Sequence, residues 1–292
     1  MANVMRIGGG SGQPNVLTVA VDSGAVVTAT NGDKTVVATS VGGNAVLKLP
    51  KAGIWSLYAE LDGQTTEDVI EISDDYPVEV AFGLPLSSLA EGSLVKLNEN
   101  GSGVNFYLAK HDYESGLNGT GRELVVRKDC YDKRLWASNN VNAYATSTID
   151  SWLNNDYKSL LDSSIQEMIG TTTFYYTPGN GNKTVTTLAR SVFLLSLTEY
   201  GLTGSWYNTE GSALSTASII RLAYLNGSAV THYTRSPSTY NTTNVYWVYS
   251  DGASNNSGYA TDQYGSRPVF TLPYDAMVNP TPNSDGSYTL IV

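Results

Sequence analysis

The sequence predicts an α+β chain of two units, a small β-sandwich followed by a larger mixed domain. Three observations predict it. Residues 15–73 fall into short alternating runs rich in β-branched residues, with turn signals between them. Residues 147–169 switch to a helical period. Between these regions, "SDDYPVEVAFGLPLSSL" carries two prolines and an acidic pair and reads as a linker. A length of 292 residues fits about two domains.

The elements follow in order. Residues 1–14 are Gly-rich and polar and read as a flexible leader. Residues 15–76 form the sandwich, with strands expected at "VLTVAV", "AVVTAT", "KTVVATS", "NAVLKLP", "IWSLYAEL" and "EDVIEIS". Alternation along "IWSLYAEL" puts Trp55, Leu57, Ala59 and Leu61 on one face, the better core face, and Ile54, Ser56, Tyr58 and Glu60 on the other. Leu61-Asp62-Gly63 makes the turn that leads to the closing strand. Residues 77–92 are the linker, and the second unit covers 93–292. It opens with strand-like "SLVKLN", "VNFYLAKHDY" and "RELVVRKDCYD". Helical spacing then joins Ile149, Trp152 and Leu153, and again Leu160, Leu161, Ile165 and Met168. Ser147 or Thr148 caps the first helix, and Asn154-Asn155-Asp156 separates the two. Beyond Gly170 the chain reads as strands and loops, with "SVFLLSLTEYG" its most apolar stretch.

Composition excludes several kinds of function. The net charge of -10 argues against nucleic acid and anionic membrane as partners, since both need a basic surface. No apolar run reaches the length of a membrane span, and the N-terminus lacks the apolar segment of a signal peptide. Synthesis in the cytoplasm without export by that route is the expectation. One cysteine, Cys130, rules out an internal disulfide and a Cys-rich zinc site. It reads as a small core residue, not as a nucleophile paired with His111 or His232. The adjacent pairs Glu67-Asp68 and Asp74-Asp75 point to opposite faces of a strand and cannot converge on a substrate. "IGGGSG" lacks the Lys and the preceding strand of a phosphate loop, and no G-x-S-x-G elbow occurs. No catalytic residue, metal or cofactor is therefore assigned.

The aromatic balance is more informative. There are 20 Tyr against 5 Phe and 5 Trp. Tyr offers a large contact area with two side-chain torsions and a polar tip, and antibody loops mix it with Ser, Gly and Asn for that reason. The stretch 231–264 has this composition. Its expected binding residues are Tyr240, Asn241, Asn244, Tyr246, Trp247, Tyr249, Asn255, Asn256, Tyr259, Asp262 and Tyr264. Structural clamps are expected from Arg235 with Pro237, from the Asp251-Gly252 turn, and from Arg267 with Pro268. Proline fixes the backbone, and a guanidinium can bridge several carbonyls or carboxylates at once.

"YTRSP", then "VYSDG", then "YGSRPVFTLP" resemble a block of proteins from gut Firmicutes and their phages, where it reads W-x-R-S-P, V-N-S-D-G and G-V-R-P-A. "ASNNVNAYATSTIDSWLNNDY" and "SVFLLSLTEYG" resemble two further segments of that group. The resemblance covers roughly Ser93 to Pro273, and departs from the pattern at Tyr233, Asp150 and Ser266, where the group has Trp, Arg and Val. Many such proteins resemble the variable proteins of diversity-generating retroelements, whose display domain has a C-type lectin fold. The resemblance implies an immunoglobulin-like β-sandwich followed by a C-type-lectin-like domain. It also implies a phage or prophage origin and a place on the virion. Errors in copying template adenines would turn Asn codons into Tyr, Ser, Thr and Asp codons, the mixture seen between Arg235 and Pro268. The implied partner is a protein or glycan receptor on a bacterial surface, with self-association or docking to a phage tail through the N-terminus. The alternatives are a structural tail or capsid-decoration protein and a carbohydrate-active enzyme with two converging carboxylates.

Overall fold

The computed structural model describes residues 4–8, 16–32, 34–49, 53–72, 78–253 and 257–291. The chain divides into two compact units, one of Met1–Ser88 with Asp275–Val292 and one of Leu89–Tyr274. Strands dominate both, and the α-helical segments are only four to six residues long.

The first unit holds two four-stranded sheets. One runs Val4–Gly8, Val78–Phe82, Val16–Ala20, Asn44–Lys48 and the other Lys34–Thr39, Val26–Asn31, Gly53–Leu61, Gln64–Ile72. All six strands expected between residues 15 and 73 are present. Their inner faces meet in one core, with Leu17, Val19, Ala45 and Leu47 from the first sheet and Val27, Ala29, Trp55, Leu57, Ala59 and Ile70 from the second. Trp55, Leu57 and Ala59 are buried as alternation predicts, whereas Leu61 at the strand end is half-buried. Leu61 pairs directly with Gln64, so Asp62-Gly63 is a two-residue hairpin turn. Both residues have positive φ, 50° and 76°, as a type I′ turn requires.

The boundaries differ from the sequence-based expectation. Val4–Gly8, inside the expected leader, pairs with Val78–Phe82, inside the expected linker. The alternation of "VEVAF" is a strand signal that the flanking prolines mask in the sequence. Residues 275–292, expected in the second unit, belong to the first. Met277–Val278 pairs with Leu84–Pro85, and Ile291 donates its N–H to the Met277 carbonyl at 2.8 Å.

In the second unit, Leu94–Glu99, Ser102–Lys110, Arg122–Arg127, Val269–Pro273 and Val192–Phe193 lie side by side in that order. A five-stranded sheet runs Lys133–Leu135, Gln263–Gly265, His232–Pro237, Asn244–Val248, Ser257–Tyr259. A hairpin joins Thr172–Tyr176 to Thr186–Arg190. Ser147 caps the helix Thr148–Trp152, its hydroxyl accepting the Asp150 N–H at 3.1 Å. Asn154-Asn155-Asp156 does not break the helical path, which continues as a π turn over Leu153–Tyr157 and a 3-10 turn over Lys158–Leu160. Asn154 is held inward instead, because its side-chain oxygen accepts the Ser191 and Val192 N–H groups and its NH2 donates to the Val192 carbonyl. The break comes at Leu161–Asp162, before the helix Ser163–Met168.

Candidate ligand-binding surface

The sheet strand His232–Pro237 is buried at every residue. At its centre the Arg235 guanidinium, 0% exposed, donates to Glu199 Oε2 at 2.6 Å, to the Leu194 carbonyl at 2.8 Å and to the Tyr175 carbonyl at 3.0 Å. It also stands 4.6 Å over the Phe174 ring. Glu199 accepts the Tyr113 hydroxyl at 2.5 Å and the Ser196 N–H at 2.7 Å. Burial, reinforced by the Glu199 charge, pushes the Tyr113 hydroxyl far above its ordinary pKa. The Glu210 carboxylate accepts the Ser236 hydroxyl at 2.5 Å and the Thr177 N–H at 2.6 Å, and burial pushes its pKa up. Glu199 and Glu210 are each 0% exposed and fully engaged with protein donors, so they do not form a substrate-facing carboxylate pair.

The second clamp works in the same way. Arg267 Nε donates to the Arg127 carbonyl at 2.7 Å and Nη2 to the Lys128 carbonyl at 2.8 Å, while Nη1 reaches the Ile220 carbonyl. Pro237 and Pro268 are both buried. Asp251 Oδ1 accepts the Ala253 N–H at 2.9 Å, and Tyr249 N–H donates to the Ala253 carbonyl at 2.8 Å. This closes a turn in which Gly252 has φ of +82°. The turn lies within the longer connection from Asn244–Val248 to Ser257–Tyr259 and does not join those strands directly. Asp150, Tyr233 and Ser266 each have a partner too. Asp150 pairs with Arg190 at 2.9 Å, Tyr233 donates to the Asp262 carbonyl at 2.5 Å, and Ser266 donates to Asp132 at 2.6 Å.

The candidate residues between the clamps divide into three groups. Tyr240 and Tyr259 are exposed, at 73% and 57%. Asn241, Asn244, Tyr249, Asp262 and Tyr264 are half-buried. Tyr246 and Trp247 are buried, at 3% and 5%, and are not surface residues as expected. Neighbours on a strand face opposite ways, and both faces of Asn244–Val248 are covered. Tyr246 packs on Tyr207 with ring centres 5.9 Å apart, and its hydroxyl accepts the Trp206 N–H at 3.0 Å. Trp247 packs on Tyr264 at 4.5 Å and lies so close to Gly258 that a Cβ there would meet its ring at 2.0 Å. Asn255 and Asn256 lie outside the described residues.

Three contributors escaped the sequence reading. Trp206 is 57% exposed, with its ring 5.6 Å from that of Tyr240, and its carbonyl accepts the Thr239 N–H at 2.8 Å. Next to this pair is a cleft of about 60 Å³, lined by residues from Thr177 to Lys183 on one side and Ser238 to Thr242 on the other. Asn142, 0% exposed, ties the two sides together. Its NH2 group donates to the carbonyls of Ser238, Asn241 and Asn244 at 3.1, 3.0 and 2.9 Å, and its Oδ1 accepts the Asn180 N–H at 2.8 Å. Gly179 sits against it so tightly that a Cβ would fall 2.0 Å from the Asn142 carbonyl oxygen. These contacts cross 38 to 102 residues, so nothing local in "NNVNAYATST" announces them.

Cys130 is buried, and burial pushes its thiol pKa up to about 11. His232 is enclosed as well, and burial pulls its pKa well below the usual imidazole value. At pH 8 only roughly one such thiol in a thousand is ionised. Iodoacetamide at pH 8 should therefore label Cys130 far more slowly in the folded chain than in urea, as read by intact-mass spectrometry. Equal labelling rates would refute its assignment to the core.

No curated protein matches the chain. Among solved structures, the crystal structure of a DUF4876 family protein from Bacteroides thetaiotaomicron is 11% identical, with a TM-score of 0.17. The match covers 61% of this chain and 46% of that one. Residues 120–274 match a family described as a domain of unknown function, DUF6273. That match takes in both arginine clamps, Asn142 and the whole cleft, and the chain belongs to the DUF6273 family.

Proposed function

We propose that this is a phage- or prophage-encoded receptor-binding protein. In this reading the second unit is a C-type-lectin-like display head and the first an immunoglobulin-like module. The head presents a diversified Tyr- and Asn-rich surface to a protein or glycan receptor on a bacterial cell. One observation carries the proposal. The ends of the segment 235–268 are fixed by two buried arginines, while Tyr240 and Tyr259 between them point their rings into solvent. Exposed aromatics are costly to leave uncovered and are characteristic of binding surfaces. A frame that holds while its middle varies is what a display surface needs. Tyr246 and Trp247 belong to the frame in this account, and Tyr240, Tyr249, Tyr259, Asp262 and Tyr264 to the variable face.

The test lies in the source genome. A near-copy of the segment encoding 231–264, differing at adenines and lying beside a reverse transcriptase gene, is the expected finding. The adenine positions should map to exposed or half-buried residues and spare the codons of Arg235, Tyr246 and Trp247. Absence of such a copy would remove diversification from the proposal. A copy whose adenines fall mainly on the buried frame would remove the assigned face.

A further inference from the structure

Trp206 and Tyr240 form an exposed aromatic ledge, their rings tilted 46° to each other. The cleft beside them has room for a few water-sized groups. Its walls are Thr, Ser, Asn and Gly with Tyr240 at one edge, and the single charged residue among them is Lys183. Asn182 and Asn241 each use their side-chain oxygen inside their own loop, accepting the Thr184 and Thr243 N–H groups. This leaves the NH2 group of each to donate. The corner therefore combines apolar ring faces with a notch rich in donors.

An apolar side chain would suit the ledge but would strand the donors of the notch unpaired. A simple anion would suit Lys183 but gain nothing from the rings. A pyranose satisfies both, with C–H faces for aromatic contact and hydroxyl oxygens small enough for the notch. We infer that the Trp206–Tyr240 ledge and the Lys183 cleft take the terminal sugar ring of a glycan. This inference rests on the reading of the head as a receptor-binding surface and names the chemistry of that receptor. Trp206 and Lys183 lie outside the segment 231–264, so they would be the constant part of a sugar subsite whose other wall, with Tyr240, varies.

The full-length chain should be applied to a printed array of pyranose-terminated glycans in buffer containing EDTA, so that any signal is independent of a bound cation. Trp206→Ala, Tyr240→Ala and, as a control in the first unit, the exposed Val37→Thr go alongside, each checked by thermal unfolding. The expected result is binding to a subset of glycans that falls about tenfold or more in each aromatic variant and is unchanged in the control. Tyr240 is exposed enough that its loss should leave folding intact even if Trp206→Ala does not. Binding that survives both aromatic substitutions would overturn the subsite, and so would failure of the wild-type chain to bind any glycan. The genomic template is an independent readout. A diversified 231–264 segment with no glycan binding would refute the sugar and leave the display surface standing.

Discussion

Replacing Arg235 with Met is expected to destabilise the second unit by about 3–5 kcal/mol, the usual cost of breaking a buried ion pair from one side. Met replaces the aliphatic part of the side chain without its charge. The loss arises because Glu199 stays enclosed with its Tyr113 and Ser196 contacts but without its cation. The Leu194 and Tyr175 carbonyls lose their donor at the same time. Urea unfolding followed by tryptophan fluorescence suits the measurement, because Trp136, Trp152, Trp206 and Trp247 all lie in the second unit and only Trp55 lies in the first. Combining Arg235→Met with Glu199→Gln should recover part of the loss, since the uncompensated charge is then gone. If the single variant unfolds within about 0.5 kcal/mol of wild type, Arg235 is not the clamp that fixes this end of the surface.

Asn142→Ala is expected to cost about 2–3 kcal/mol, roughly 1 kcal/mol for each carbonyl left without its donor, offset where water can reach in. Its effect on the surface should be larger than its effect on the fold. Without Asn142 nothing else described joins the Asn180 turn to the Ser238–Asn244 loop through side-chain hydrogen bonds of this reach. Native-state hydrogen exchange should therefore quicken at the Asn180 amide and across 239–244, while the Leu124–Val126 amides of the other sheet keep their protection. Asn142→Asp makes the sharper test. It keeps an oxygen for the Asn180 N–H but turns a carboxylate toward three carbonyls, so it should be worse than Ala. Exchange unchanged in both variants would show that the two loops hold each other by packing alone.

Elements governed by local rules were legible in the sequence. The six sandwich strands follow from period-2 alternation, and Asp62-Gly63 follows from the backbone that a two-residue turn demands. Arg235 and Arg267 were readable as clamps because a guanidinium can bridge several carbonyls or carboxylates where a nearby proline fixes the backbone. Composition, in contrast, says which residues suit a binding face but not which way they point. Tyr246 and Trp247 share the chemistry of Tyr240 and Tyr259, and only the layers on both sides of their strand decide their burial. Asn142 and Trp206 were missed because their partners lie far along the chain or in another loop. The placement of 275–292 in the first unit depends on pairing with Leu84–Pro85, a contact almost two hundred residues distant that no local pattern encodes.

That last pairing has a consequence for how the molecule is made. The second unit is spliced into the first, leaving it at Ser88 and returning at Asp275. During synthesis, all of Leu89–Tyr274 emerges before the residues that complete the first unit exist. The second unit can therefore begin to fold while the first still lacks residues 275–292, so the first unit is the last to be completed.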